Sequence, residues 1–356
     1  MCTDAVNRQE QNEIFEALKY LKPHEVSNLK KLILNKENKA SKEKYIDFIA
    51  ESSEYADNCP HCKSNSIVKC GKNQCKKQRF KCKVCGRSFI TATNSPLMYT
   101  KKSTEHWLRY MQCMCNSLSV RASAKVVGIH FNTAFHWRHK ILNALKAVLK
   151  NNLSGTIEID ETLINESFKG NHSKNEFFRM GRAARKRGVR LSECTSSVKV
   201  RILCCLDREN NIFSQVSGKL RPDWQKLMSM LKDNIPEGST VCTNSNLAYV
   251  TVAKKLNFKL YKLKYYNQVV EEVYHIQNAR SFGFSLKKFI TAFNGVATKY
   301  LNFYITWLKW LRMCKEQMEQ LKAIDMLLIV IFSKIRLRVC DLKLITSIPD
   351  ESCPCA

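Results

Sequence analysis

Two cysteine pairs of the form C-x2-C, Cys59-Pro60-His61-Cys62 and Cys82-Lys83-Val84-Cys85, stand nineteen residues apart. That spacing lets two tight knuckle turns converge on a single tetrahedral Zn²⁺. Four thiolates leave no open coordination position, so the expected ion is structural. A module this short holds little apolar core, and the metal then contributes folding free energy directly. Cys70 and Cys75 lie inside the loop as rival ligands with a less suitable C-x4-C spacing. The other cysteines, among them Cys204, Cys205, Cys353 and Cys355, read as small core residues or free thiols.

The segment around the pairs is strongly basic. From Cys59 to Lys102 there are eleven Lys or Arg and no Asp or Glu, in short stretches separated by turns. Over the whole chain 59 Lys and Arg face 31 Asp and Glu, a formal charge of +28. Such a field draws in polyanions, which makes nucleic acid the first expected partner and an anionic membrane surface the rival. The densest apolar run, Met326 to Phe332, is far shorter than the ~20 residues that cross a bilayer, so no membrane partner is expected. The first residues, MCTDAVNRQEQNEIF, lack the apolar core of a signal peptide. With seventeen cysteines in a chain of this length, that predicts a reducing cytosol.

At 356 residues the chain has room for two or three units. Residues 1–55 show helical spacing broken at Lys22-Pro23, and 56–100 form the small β-like zinc ribbon. Residues 101–150 return to helical periodicity, with Gly128 between a run at Ala122 to Val127 and another from Asn132 to Leu149, the outline of a helix-turn-helix. Its last helix carries Asn132, Thr133, His136, Arg138 and Lys140, groups suited to base edges and phosphates in a major groove. Phe135 and Trp137, interleaved among them, read as core. Residues 154–312 predict an α/β layer order: strands at Thr156 to Asp160, Val198 to Leu206, Ile212 to Val216, Ser239 to Thr243 and Phe258 to Leu263, with helices at Ala248 to Leu256 and Ile276 to Ile290. Residues 313–356 form a tail in which Ile324 to Cys340 has no clear period.

An apolar strand ending in carboxylates, Ile157-Glu158-Ile159-Asp160-Glu161-Thr162, is expected to deliver Asp160 to a sheet edge. Together with Glu166-Ser167-Phe168-Lys169-Gly170-Asn171-His172, Arg185-Lys186-Arg187-Gly188, Tyr274-His275-Ile276-Gln277-Asn278 and Phe293-Asn294-Gly295-Val296-Ala297-Thr298-Lys299-Tyr300-Leu301, it resembles the zinc-ribbon insertion-sequence transposases of bacteria. The resemblance covers roughly residues 55–312. It implies an RNase-H-like α/β domain behind the zinc ribbon and helix-turn-helix. In that family carboxylates on adjacent strands hold two Mg²⁺ ions for phosphodiester cleavage and strand transfer.

Residue by residue, the family's first Asp falls on Asp160, and its second, at the end of the fourth strand before a helix carrying a Tyr, falls on Asn244, with Tyr249 following. The third position falls on Arg280 and the downstream Lys on Lys287, which also reads as a solvated surface lysine. Gly283 stands where the family tends to have His. Asn244 offers only a neutral carbonyl to a hard cation, and Arg280 adds a positive charge that could pair with Asp160. Mg²⁺ chemistry is therefore expected to be impaired. A further basic tract, Lys169 to Arg190 with eight Lys or Arg and one Glu, includes Arg182, Arg185, Lys186 and Arg187, placed to hold DNA or to form a solvated loop.

The resemblance implies a nucleoid-associated cytoplasmic protein that binds double-stranded DNA at element ends and at a target. A homo-oligomer assembled on the DNA is compatible with it. The alternative is a DNA-binding protein without catalysis, either a decayed transposase or a zinc-ribbon regulator. An RNA-binding ribbon is disfavoured, because the sequence lacks the interleaved exposed aromatics of a single-strand platform.

Overall fold

The computed structural model describes residue 56 and residues 58–345, apart from 74–77, 150–151, 171–197, 245–246, 264–268, 271–272 and 334. The helices expected within 1–55 and the cations Arg182, Arg185, Lys186 and Arg187 lie outside the described residues. The chain divides into two compact units, one running to Leu149 and resuming over Cys314–Val339, the other centred on Lys150–Met313.

The first unit begins with a three-stranded antiparallel sheet, β1 (Ile67–Lys72), β2 (Gln78–Cys82) and β3 (Ser88–Ile90), in sequential order. Among the described residues its buried core is Cys59, Phe80, Cys82 and Phe89, with the two phenylalanine rings 5.7 Å apart. Three helices follow, α1 (Thr104–Cys115), α2 (Val120–Val127) and α3 (Phe131–Val148). The boundaries are set by local chemistry. Ser119 caps α2 by accepting from the Ala122 N–H, and Gly128 ends it in the left-handed conformation at φ 70°, where a side chain would be strained. His130 then caps α3 through Nδ1. Trp107 of α1 stacks on Trp137 of α3 at 3.9 Å, and Tyr110 donates to the Ala134 carbonyl at 2.6 Å, so Trp137 is core, as its spacing predicts.

Most of the segment read as a tail, Cys314–Val339, belongs to this unit. Helix α8 (Glu319–Phe332) packs against α1 and α3, burying Ala323, Met326, Leu327, Leu328 and Val330. Its apolar residues lie all round the helix, which is why no amphipathic period was legible.

The second unit is built on a mixed five-stranded sheet of order β6-β5-β4-β7-β8. Strands β4 (Thr156–Asn165), β5 (Lys199–Asp207) and β6 (Ile212–Gly218) are antiparallel neighbours, whereas β7 (Thr240–Asn244) lies parallel to β4 and β8 (Lys259–Leu263) parallel to β7. Ile157 and Ile159 of β4 point into a core closed by α4 (Trp224–Leu231) and α5 (Ala248–Lys255). Alternation sends Glu158, Asp160 and Thr162 to the other face, where α6 (Gln277–Ala292) crosses β4 and β5. A short hairpin of β9 (Val269–Val270) and β10 (Tyr274–His275) leads into α6, and α7 (Leu301–Met313) lies against β6.

Asp160 does not end its strand, because β4 continues to Asn165 in register with the long antiparallel β5, pairing Asp160 with Cys204 and Asn165 with Lys199. Asp160 is mid-strand on that side. Its open side comes from β7, which stops at Asn244, one step beyond the Ile159–Thr243 pair.

Candidate functional sites

The four cysteines of the two pairs converge. Their sulfurs lie within 4.8 Å of one another, with Cys59 to Cys85 at 3.6 Å and Cys62 to Cys82 at 3.5 Å. A tetrahedron of thiolates about 2.3 Å from zinc has edges of about 3.8 Å, so the cluster fits the ion with small adjustment. The two knuckles match. Lys63 and Gly86, each just after the second cysteine of its pair, have φ of 63° and 69°, and their N–H groups return to the Cys59 and Cys82 carbonyls. Backbone N–H groups also point at sulfur, His61 to Cys59 and Cys85 to Cys82.

Desolvation raises the Cys59 thiol, but the Cys62 and His61 N–H groups outweigh it and bring its pKa to about 7. At Cys62 the Ser64 N–H favours the thiolate, yet desolvation and the crowd of Cys82, Cys85 and Cys59 push it up to about 11. Four sulfurs facing one another at this distance suit a single metal ion between them. The rival Cys70 is exposed on β1 and outside the cluster, and Cys75 lies outside the described residues.

On α3, Asn132 is exposed and Thr133 and His136 are half-buried. Arg138 departs from expectation. It is fully buried, donating to the Leu118 carbonyl at 2.7 Å and to Ser123 Oγ at 3.4 Å. It ties α3 to the turn between α1 and α2 and cannot reach a groove. Lys140 is half-buried with Nζ 3.4 Å from the Pro96 carbonyl, and its pKa is lowered first by desolvation and then by Arg336. Exposure on α3 is concentrated at its beginning, where Phe131 and Asn132 both face solvent.

The sheet site gathers the other predicted residues. Asp160 stands abreast of Asn244 on adjacent parallel strands, and the charges of Arg280 and Lys287 on α6 both act on it. Burial is the largest influence and raises the Asp160 pKa; the Glu161 N–H and Arg280 pull it back, Glu161's charge adds to the rise, and Lys287 lowers it. Glu161 points to the opposite face, where Arg201 Nη1 donates to it at 3.1 Å and Tyr249 Oη lies 3.4 Å away. Among the described residues, then, the site offers one carboxylate, a neutral amide and two cations. That set does not fit Mg²⁺, which needs several hard anionic oxygens. Among the described residues, the cysteine cluster is the only group of three or more Cys, His, Asp or Glu side chains close enough to hold a metal.

Comparison with protein-family models and with curated proteins returns no match.

The main supports of this site were not singled out from the sequence. Glu158, with no exposed surface, accepts from the Asn278 N–H at 2.8 Å, Asn278 Nδ2 at 2.9 Å and the Ala279 N–H at 3.1 Å, and so closes the N-terminus of α6 with an anion. Arg208 Nη1 meets the same carboxylate at 2.8 Å, and His275 Nδ1 lies 3.2 Å from it. Arg208 Nη1 also lies 2.9 Å from His275 Nε2, and the Gln277 N–H donates to His275 Nδ1 at 3.4 Å, so the imidazole is held between Arg208, Glu158 and the start of α6. At the other end of α6, Lys169 Nζ donates to the carbonyls of Phe293, Asn294 and Gly295 at 2.8, 3.1 and 3.0 Å, a cation on the helix C-terminus. Ser167 and Thr298 bridge nearby, the Ser167 N–H donating to Thr298 Oγ1 at 2.9 Å. The readable signal was Glu158 itself, a carboxylate inside an apolar strand that an α/β layer order covers on both faces.

Proposed function

We propose that the chain is a DNA-binding protein of the insertion-sequence transposase type, whose RNase-H-like domain keeps its architecture and has lost the means to hold catalytic Mg²⁺. The observation that carries this reading is the placement of Asp160 beside Asn244 on adjacent parallel strands, with Arg280 and Lys287 acting on the same carboxylate. Segments far apart in sequence, each part of the resemblance, also meet. Glu158 binds His275 and Asn278, and Ser167 and Lys169 bind the stretch from Phe293 to Thr298.

The residues present divide the work as follows. The zinc ribbon and the start of α3 supply the duplex-binding surface, and the net charge of +28 supplies non-specific affinity. At the sheet, Arg280 and Lys287 attract a phosphodiester, while Asp160 alone has too little charge to recruit a divalent ion. Double-stranded DNA is the partner. The family's cleavage and strand transfer are the reaction that this site has lost.

The test is equilibrium binding of the zinc-loaded full chain to duplex DNA over a salt series, with a nicking assay in Mg²⁺ and Mn²⁺ on the same duplexes. The reading requires tight binding that weakens steeply with salt and no metal-dependent nicking. Binding insensitive to salt would remove the DNA-binding part. Nicking abolished by Asp160→Ala would restore an active transposase.

A further inference from the structure

Helix α6 has a solvent face that neither packing nor the metal question explains. Phe284 is 72% exposed there, third among the large apolar side chains of the described residues, after Tyr99 and Leu247 at 77% each. It sits four residues after Arg280 and three before Lys287, both exposed. At 100° per residue these three side chains fall within about 60° of arc, and at 1.5 Å per residue the two cations are about 10 Å apart along the axis. Lys288 is exposed beside them, and the sequence of α6, QNARSFGFSLKKFITA, contains no acid. Among the four phenylalanines at 282, 284, 289 and 293, spacing alone gave no reason to treat Phe284 as different from core. Phe282 is fully buried, whereas Phe284 points away.

We infer that Phe284 is a stacking platform for an unpaired DNA base, with Arg280 and Lys287 holding the phosphates on either side of it. An exposed aromatic ring flanked by cations matches the chemistry of single-stranded DNA, whose bases are free to stack and whose backbone is anionic. Duplex DNA can satisfy the cations but keeps its bases within its own stack. A second copy of this chain is a poor occupant, since both surfaces would be cationic. The two cations that flank the ring also act on Asp160, so the unpaired nucleotide would lie over the sheet site. This inference rests on the proposed DNA binding and deepens it. It assigns the duplex to the first unit and a melted or single-stranded segment to α6.

The experiment uses the full zinc-loaded chain, a labelled oligothymidine and a labelled duplex, with Phe284→Ala, Phe284→Trp and the double variant Arg280→Ala/Lys287→Ala. Because Phe284 is exposed, its replacement leaves the core untouched, which thermal melting verifies. Phe284→Ala should weaken oligothymidine binding by about 5- to 100-fold, the range for loss of one stacked base, and leave duplex affinity within about twofold. Phe284→Trp should retain single-strand affinity. The double variant should flatten the single-strand salt slope by about 1.4, for two phosphates released. An oligonucleotide carrying 5-iodouracil should photocrosslink to position 284 in the wild type.

Unchanged single-strand affinity in Phe284→Ala overturns the inference, as does an equal loss on duplex and single strand. So does a wild-type dimer that Phe284→Ala splits without changing DNA affinity. If the wild type binds duplex but not oligothymidine, this inference alone fails. If it binds neither, the DNA-binding reading fails with it.

Discussion

Asn278 grips Glu158 with both of its donors, the backbone N–H at 2.8 Å and Nδ2 at 2.9 Å, across 120 residues of sequence. The pair fixes where α6 starts relative to β4, and so where Arg280 and Lys287 come to lie over Asp160. Glu158→Gln keeps the shape but replaces the anion at the helix N-terminus and leaves Arg208 without its counter-charge. It is expected to cost about 2–4 kcal/mol, less than a fully buried pair because Arg208 is partly hydrated. Urea denaturation of both variants checks this. Asn278→Ala should cost less, about 1 kcal/mol, since it removes only the side-chain bond.

Gly283 allows α6 to approach β4. A Cβ added there would collide with Thr162 Oγ1 and come within 3.2 Å of Thr162 Cβ. Gly283→Ala is therefore expected to destabilise by about 1–3 kcal/mol despite the gain in helix propensity. Thr162→Ala should be partly compensating in that background, giving a coupling above 0.5 kcal/mol in a double-mutant cycle. Additive effects would mean that the helix relaxes away without strain. The same contact shows why a His at this position is incompatible with the spacing of α6 and β4 found here.

The ribbon's dependence on metal follows from its four-residue core. One zinc per chain is expected by elemental analysis. Cys62→Ser or Cys82→Ser should lose it and unfold the ribbon, seen as faster amide exchange over β1 to β3. A chelator should do the same to the wild type, and retained protection without zinc would contradict a structural metal.

Asp325 lies where α8 becomes apolar, just before the run from Met326 to Phe332, and burial pushes its pKa up to about 7. Its unfolded value is near 4. Between about pH 4 and pH 7 the folded state holds the extra proton, so stability falls as pH rises through that window and stays low above it. Asp325→Asn should flatten this dependence and raise stability at pH 8 by about 2 kcal/mol, the shift being discounted for the partial exposure of the side chain. Denaturation midpoints at pH 5 and pH 8 for both proteins test it. An unchanged slope in Asp325→Asn would assign the pH dependence to other groups.

Much of the fold was legible because it is written in local periodicity. The strands at Thr156, Val198, Ile212, Ser239 and Phe258 and the two helices on either side of Gly128 lie within a few residues of their expected positions. The cysteine cluster was legible because its spacing leaves few other uses. What was not legible depends on contacts far apart in the chain. The burial of Arg138 follows from a carbonyl twenty residues earlier, at Leu118, and a cation on a helix face gives no hint of that. The packing of α8 on α1 and α3 joins segments about two hundred residues apart. The continuation of β4 past Asp160 depends on a long partner strand, which composition alone does not show. Among the described residues, no helix is long and apolar enough to cross a membrane, in line with the short run from Met326 to Phe332.

Whether Asn244 and Arg280 deprive the sheet site of a metal is read by calorimetric titration of Mn²⁺ into the zinc-loaded full chain. The wild type is expected to show no binding at the sheet site, and an Asn244→Asp/Arg280→Asn double variant to show binding that Asp160→Ala removes. Binding of two ions to the wild type, lost on Asp160→Ala, would contradict it. A double variant that stays silent would show that these two residues are not the cause.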